Sequence, residues 1–376
     1  MTAPPEPFQE SPDPERGLSE LDPESLGSGP EMPRIRPRRG PTLADLAQDC
    51  EVSVATVSKV LHDRPGVSEA TRGRVWAAIA RHGKPRLQRP GRTSGRPEAL
   101  ELLFFELEST WAIQVLWGAQ QAAAESGCSV MISGLGGRFF PPDEWVHEAI
   151  GRRPVAVIAA LTGFTDPQYL RFVESGIPVV VLEPPRVTRP EIPTVHAANR
   201  QGMFLATRHL LGLGHRRIAL VAGPEAIPCA LDRQQGYRAA MAAAGAAAEV
   251  RVQSGNMHSE DGLRCARALL DADPGLTALL ATNDLQAMGV YEAVRERGLR
   301  VPDDVSVVGF DNLSVASWMA PGLTTVHQPV HELAVAATDL ALCLAWDTPT
   351  PKQHVEMATR LVVRHSTAPP SGNRRD

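Results

Sequence analysis

Short apolar runs alternate with helical segments along most of this chain, and that alternation limits its possible folds more than any other feature. Two series of runs are rich in β-branched and aliphatic residues, which is typical of buried strands. The predicted strands are 100–105, 129–132, 155–159 and 178–182, then 217–221, 250–253, 278–281 and 305–308. The predicted helices are 111–126, 143–150, 166–175, 199–211, 232–244, 259–271 and 284–297. Such alternation builds parallel sheets through right-handed crossovers, so two consecutive series predict two α/β lobes facing a cleft.

A separate helical unit precedes the first strand. In TLADLAQDCEVSVATVSKVLH, residues 42–62, Thr42 stands three residues before Asp45, which is the spacing of a capping box. Ser53 is a good N-cap for a second helix over 54–61, whose inward positions are apolar. Two short helices joined by a tight turn predict a helix-turn-helix, whose second helix enters the major groove of DNA.

The distribution of charge supports a nucleic-acid partner for this unit. Residues 34–97 contain 14 Lys and Arg against 5 Asp and Glu, whereas the whole chain has a net charge of −5. One strongly positive segment inside an acidic protein is typical of phosphate binding, although a solvated basic linker would have the same composition.

Composition places the chain among cytoplasmic proteins of several domains. The 5 cysteines form no CxxC pair and no grouping with histidine, so we expect small buried side chains, no metal and no cofactor. No apolar run reaches the roughly 20 residues that span a bilayer, and the N-terminus does not resemble a secretory signal. The predicted divisions are a disordered extension (1–38), a helix-turn-helix domain (39–84), a basic linker (85–97), a bilobed effector-binding and dimerisation domain (98–366) and a disordered tail (367–376).

Two other classes of protein compete with a DNA-binding regulator. An enzyme is not expected, because GxSxG, GxxxxGK[ST] and HExxH are absent from the sequence. A sugar-binding protein that does not bind DNA would share the bilobed core, but it would lack the helix-turn-helix and carry a secretory signal.

The ordered set of motifs resembles the lactose-repressor (LacI) family. The matching segments are Thr42–Ala47, Val52-Ser53, Thr56–Ser58, Val67-Ser68, His209-Leu210, Leu213–Ile218, Arg233–Tyr237, Asn283-Asp284, Val305–Asn312 and Leu323–Val326. The resemblance implies an all-α helix-turn-helix headpiece joined to an α/β bilobed periplasmic-binding-protein-like core, with two parallel-sheet lobes. It also implies a homodimer that reads palindromic double-stranded operator DNA.

The resemblance places Val54 and Ala55 at the two main specificity positions of the second helix. Neither side chain can hydrogen-bond a base edge, but both can pack on a thymine methyl, and Lys59 can donate to guanine. Serine and threonine hydroxyls at the start of the helices suit phosphate anchoring or capping. The candidate DNA contacts are Thr42, Ser53, Val54, Ala55, Thr56, Ser58, Lys59, His62, Leu87, Arg89 and Arg92.

The basic linker departs from the family pattern. Pro90 and Gly91 would interrupt a hinge helix. Two alternatives stay open: Leu87 wedges between base steps, or an arginine-rich arm lies extended along phosphates or the minor groove.

In the core, the resemblance places Arg233 and Asp284 in an effector pocket, where a guanidinium and a carboxylate can bind sugar hydroxyls. On sequence alone Asp284 could equally cap the helix that it begins. Trp111 is a candidate platform for a sugar or, alternatively, a core residue. Met257 stands where the family often has an aromatic ring. The candidate effector contacts are Trp111, Arg233, Met257, Asn283 and Asp284.

The sequence therefore predicts a DNA-binding transcriptional regulator, a repressor whose operator binding is relieved by a small molecule, with a sugar as the expected effector. The alternative within the family is a co-repressed regulator that responds to a nucleobase or another metabolite.

Overall fold

A computed structural model describes residues 43–61, 66–82, 98–185, 189–348 and 352–371. The predicted extension 1–38 and the whole of the predicted linker 85–97 lie outside these residues. Among the described residues no helix is both long and apolar enough to cross a membrane. All five cysteines are buried and none forms a disulfide, as predicted.

The N-terminal unit is the predicted helix-turn-helix followed by a third helix. Its helices are α1 (Leu43–Asp49), α2 (Val54–Leu61) and α3 (Glu69–His82). The Ser53 hydroxyl accepts a hydrogen bond from the Thr56 amide at 3.1 Å, so Ser53 caps α2 as expected. Leu46, Val57 and Val75 are buried together, one from each helix, and hold the unit around a small apolar core.

The first lobe contains one six-stranded sheet with helices on both faces. Its strands, all parallel, are β1 (Ala99–Phe104), β2 (Ser129–Gly134), β3 (Val157–Ala160), β4 (Val179–Leu182), β5 (Thr194–Ala197) and β11 (His354–Met357), in the order β2-β1-β3-β4-β5-β11. Its helices are α4 (Thr110–Glu125), α5 (Asp143–Arg152), α6 (Asp166–Glu174) and α12 (Val330–Ala345). α4 and α12 cover one face, and α5 and α6 cover the other.

The second lobe repeats this architecture. Its strands are β6 (Ile218–Ala222), β7 (Arg251–Ser254), β8 (Ala278–Ala281), β9 (Ser306–Asp311), β10 (Thr324–His327) and β12 (Arg360–Val362), in the order β7-β6-β8-β9-β10-β12, with only β12 antiparallel. Its helices are α7 (Asn199–Gly212), α8 (Pro228–Ala243), α9 (Ser259–Ala272), α10 (Asp284–Glu296) and α11 (Ser314–Trp318).

The chain crosses between the lobes three times, which the prediction of two consecutive series did not anticipate. It leaves the first lobe after β5, returns after β10 to form α12 and β11, and crosses again before β12. Asn199 begins α7, directly after the first crossing, and Gln328 lies in the second crossing, between β10 and α12. Three adjacent crossings form a hinge between the two lobes.

Two local details differ from the sequence predictions. Gly127 and Gly176 adopt the left-handed conformation after the predicted helices 111–126 and 166–175, but α5 continues past its predicted end at 150, and Arg153 takes the left-handed position there. Past the predicted domain boundary at 366, Thr367 bonds His209 at 3.0 Å, so the ordered core extends beyond that boundary.

Gly289 allows helices α9 and α10 of the second lobe to pack closely together. A Cβ atom on Gly289 of α10 would stand 2.0 Å from the Ser259 carbonyl oxygen and 2.3 Å from the Leu263 amide nitrogen of α9. Both are backbone atoms, so a larger residue would have to push the helices apart.

We expect Gly289→Ala to lower the free energy of unfolding by about 1–3 kcal/mol, because overpacking strains a close helix pair. Urea denaturation measures the change. Gly151→Ala is the matched control: its Cβ would meet no atom, so we expect a gain of about 0.5–1 kcal/mol from helix propensity. Equal effects of the two substitutions would contradict this account.

Candidate functional site

A cavity of about 420 Å³ lies between the two lobes, at the carboxyl ends of the parallel strands, where open α/β sheets bind ligands. The first lobe contributes Phe105, Glu106, Trp111, Phe139, Leu161 and Glu183, and the second contributes Arg233, Met257, Asn283 and Asp311. Gln328, from the hinge, completes the floor of this cavity.

Arg233 is the centre of the polar floor and is only 3% exposed. Its Nε donates to Asn199 Oδ1 at 2.8 Å, and its Nη1 donates to the Thr282 carbonyl at 2.5 Å. Its Nη2 donates to Gln328 Oε1 at 3.3 Å. The guanidinium carbon lies 3.8 Å from the centroid of the Phe310 ring, a cation–π contact. The hinge and the second lobe therefore hold this side chain in one position.

Asp311 faces Arg233 from the end of β9. Its Oδ1 is 3.2 Å from Arg233 Nη1 but has no hydrogen-bond partner among the described residues. Burial raises the pKa of Asp311 to about 6, and the Glu183 charge adds to that increase, while Arg233 opposes it. Asp311 thus holds a buried carboxyl group against Arg233 at the wall of the cavity. Asp311 was not identified from the sequence, although its place three residues after the predicted strand 305–308 was a usable signal.

Glu183 ties the first lobe to the hinge. Its Oε1 accepts from the Ala197 amide at 2.8 Å and from Gln328 Nε2 at 2.9 Å, and its Oε2 accepts from Asn199 Nδ2 at 3.1 Å. Burial raises the pKa of this carboxyl, while the Ala197 hydrogen bond and the Arg233 charge lower it. Because Asn199 and Gln328 also bind Arg233, one buried network joins both lobes. Glu183, too, was not identified from the sequence.

Three of the predicted effector residues line the cavity beside Arg233. Trp111, only 6% exposed, reaches the cavity and also packs in the core of the first lobe, so both of its predicted environments are present. Asn283 caps α10 by accepting from the Gln286 amide at 2.7 Å, and its Nδ2 donates to the Met257 carbonyl at 2.8 Å. Met257 and Asn283 therefore form one braced edge of the cavity.

Asp284 does not reach the cavity, so the prediction that it contacts an effector disagrees with its position. Its side chain is fully buried, where Oδ1 accepts from Thr325 Oγ1 at 2.6 Å and Oδ2 accepts from the Leu313 amide at 2.7 Å. Burial and the Asp311 charge raise the pKa of Asp284 well above its usual range. Asp284 is not the helix cap either, because Asn283 has that position.

The predicted DNA contacts are described only in part. Ser53 and Lys59 are exposed at the start and near the end of α2, and Thr56 is half-buried between them. The hydroxyls of Ser53 and Thr56 lie 2.8 Å apart, which favours the capping reading of both. Val54, Ala55 and Ser58 belong to α2, but their side chains are not described. Thr42, His62, Leu87, Arg89 and Arg92 lie outside the described residues.

The raised pKa of Asp311 predicts a pH-dependent stability. Since the folded carboxyl binds its proton up to about pH 6 and the unfolded one only up to about pH 4, folding loses stability as pH rises between these values. Relative to Asp311→Asn, we expect the parent chain to lose on the order of 2 kcal/mol from pH 4 to pH 7. Urea denaturation of both chains at each pH measures the difference between their free energies of unfolding. A difference that stays constant from pH 4 to pH 7 would contradict the raised pKa of Asp311.

Comparison with known proteins relates these two parts of the chain to one family. Residues 42–83 match the family model "Bacterial regulatory proteins, lacI family", and residues 207–367 match "Periplasmic binding protein-like domain". An uncharacterized HTH-type transcriptional regulator from the aml 5' region of Streptomyces limosus is 35% identical, over 87% of this chain and 95% of that protein.

Two solved structures extend this likeness to the fold. The transcriptional regulator CelR–cellobiose complex has a TM-score of 0.65 at 29% identity, and the lac repressor dimer bound to operator and the anti-inducer ONPF has 0.63 at 26%. Each comparison covers 87% of this chain and 99% of the other. The helix-turn-helix, the bilobed core and the 35% identical relative establish that the chain belongs to the lacI family of bacterial regulatory proteins.

Proposed function

We propose that this chain is a cytoplasmic repressor that leaves its operator when a sugar occupies the cavity between the lobes. The observation that carries the proposal is the buried network from Glu183 through Gln328 and Asn199 to Arg233. A ligand that contacts Arg233 acts on a second-lobe group whose partners Asn199 and Gln328 also bind Glu183 of the first lobe, so its binding is coupled to the relative position of the lobes. The relative bound to cellobiose supports a sugar effector.

On DNA, α2 is the helix that contacts the bases. Its exposed Lys59 donates to guanine in the major groove, while Val54 and Ala55 pack on thymine methyls. The hydroxyls of Thr42 and Ser58 anchor phosphates, while those of Ser53 and Thr56 cap α2 and hold its start against the DNA. This proposal also keeps the predicted division into a DNA-binding domain (39–84), a basic linker (85–97) and an effector domain beginning at 98.

The proposed assembly is a homodimer on a palindromic operator, with half-sites about one helical turn apart. The related lac repressor is a dimer on its operator. Large apolar side chains exposed in the isolated chain suit such an interface: Trp318 is 81% exposed, Trp117 69% and Ile113 60%.

Effector binding and operator binding oppose each other in this proposal. Closure of the lobes around the ligand shifts the first lobe relative to the second, and this movement misplaces the paired headpieces. Coupling of this kind is typically about 1–3 kcal/mol and is reciprocal, so operator DNA weakens effector binding by the same factor.

The direct test is fluorescence anisotropy on duplexes from the upstream region of the gene, titrated with salt and then with sugars. We expect tight binding that weakens steeply with salt and is released by one sugar. Ligand-enhanced binding would reverse the regulatory sign. Absence of specific DNA binding by the folded protein, across several candidate operators, would contradict the regulator proposal and favour a sugar-binding protein.

Lys59→Ala should reduce operator discrimination, because one base-edge donor is worth about 1–3 kcal/mol against the wrong base. The measurement compares affinity for operator and random DNA at one salt concentration. Arg81→Ala is the matched control: Arg81 is an exposed cation of the same unit, but it pairs with Asp49 at 3.1 Å. A similar loss of discrimination in both variants would show that α2 does not read bases through Lys59.

A further inference from the structure

Two phenylalanine rings form a rigid apolar wall in the first lobe. Phe105 and Phe139 stack with centroids 4.5 Å apart and planes at 22°, and both line the cavity. The Phe139 carbonyl accepts hydrogen bonds from Thr162 Oγ1 at 2.7 Å and from the Gly163 amide at 3.0 Å. The Phe105 carbonyl accepts from the Gly137 amide at 2.9 Å. Loop residues of the first lobe thus hold both rings in place before any ligand arrives.

The opposite wall, as far as the structure describes it, presents the His258 imidazole but no phenyl or indole ring. Met257, Ile227 and Cys229 of the second lobe line the cavity, and Phe139 and Leu161 pack against this group across the cleft. Met257 occupies the position at which the family resemblance predicts an aromatic ring. The stacking surface available to a ligand therefore belongs to the first lobe.

The charges around the cavity disfavour an anion. Glu106, Glu183 and Asp311 line it against one guanidinium, Arg233, and one imidazole, His258, which lies 3.8 Å from Glu106. The Arg233 donors already bind Asn199, the Thr282 carbonyl and Gln328, and Arg233 also pairs with Asp311. A phosphate or carboxylate would meet three carboxyl groups and an occupied guanidinium. The carboxyl groups of Glu106 and Asp311, which both line the cavity, instead suit hydroxyl donors.

We propose that the Phe105–Phe139 pair is the stacking platform of the effector site, and that the cavity selects an uncharged saccharide with a pyranose ring. The ring's C–H face packs on the electron-rich phenyl wall, and its hydroxyls donate to Asp311 across the cleft. This inference rests on the proposed sugar-controlled function and names the class of sugar.

The test is isothermal titration calorimetry on the full chain with three sets of probes. The first set contains neutral pyranoses and their disaccharides, including glucose, galactose, maltose and cellobiose. The second contains glucose 6-phosphate and gluconate, and the third contains hypoxanthine and guanine. We expect binding from the first set alone.

Substitution of Phe139 then separates stacking from simple space filling. We expect Phe139→Leu to weaken saccharide binding about tenfold, because it keeps apolar volume but removes the ring face, and Phe139→Tyr to stay within about twofold of the parent. Phe140→Leu is the matched control, because Phe140 is the next residue but lines a different small cavity of the first lobe. A merely structural role would make the Tyr and Leu variants alike or make Phe140→Leu equally harmful.

Other outcomes overturn the inference in distinguishable ways. Binding of the sugar phosphate, gluconate or a purine in preference to neutral sugars would reject the saccharide class, while operator release by that ligand would keep the regulator proposal. Unchanged saccharide affinity in Phe139→Leu would reject the platform and leave the sugar effector intact. No binding from any probe, with operator binding preserved, would reject the inference and the sugar effector but not the DNA-binding function.

Discussion

The burial of the Arg233 guanidinium is the constraint on which the arrangement of the two lobes depends. Removing such a charge from water costs several kcal/mol unless hydrogen bonds and an opposite charge offset that cost. Here the compensating groups come from different parts of the chain: Asn199 follows the first crossing, Gln328 lies in the second, and Asp311 ends β9. The second lobe cannot satisfy Arg233 without the hinge, and the hinge cannot satisfy Glu183 without the first lobe. The buried charge of Arg233 thus makes the cavity site depend on the relative position of the two lobes.

The same network explains why the cleft is sensitive to its contents. The Glu183 carboxyl group, only 2% exposed, accepts hydrogen bonds from Ala197, Asn199 and Gln328, so little water can replace these donors. Asp311, by contrast, keeps one oxygen without a hydrogen bond, 3.2 Å from Arg233. A ligand hydroxyl bound to the Asp311 carboxyl group would compete with Arg233 for its negative charge. Since Arg233 is bound to the hinge, a contact made at Asp311 is transmitted to both lobes through direct hydrogen bonds.

Much of the fold could be predicted from sequence because buried parallel strands are locally distinctive. Runs such as 178–182 are apolar throughout and short, and the structure places strands there. Four strands were missed: β5, β10, β11 and β12. β11, for example, reads HVEM, its residues are exposed or half-buried, and its pairing with β5 spans 160 residues of sequence. Helix α12 was also missed. Its apolar sequence does not indicate which of the two sheets it covers. Local pattern determines the type of an element, whereas its lobe depends on distant contacts.

The site shows the same division between local and distant information. Asp284 and Asp311 both stand at the carboxyl ends of strands, so position alone favours each as a ligand contact. The difference is that Asp284 is satisfied by Leu313 and Thr325, partners 29 and 41 residues away, while Asp311 is not. Likewise, Phe105 and Phe139 have no sequence pattern in common. They meet because Phe105 follows β1 and the β3 end holds the Phe139 backbone, and β1 and β3 are neighbouring parallel strands whose carboxyl ends share one edge. The sequence identifies the sheet edge at which a ligand binds. Hydrogen bonds to residues distant in the sequence decide which side chains at that edge are free to contact the ligand.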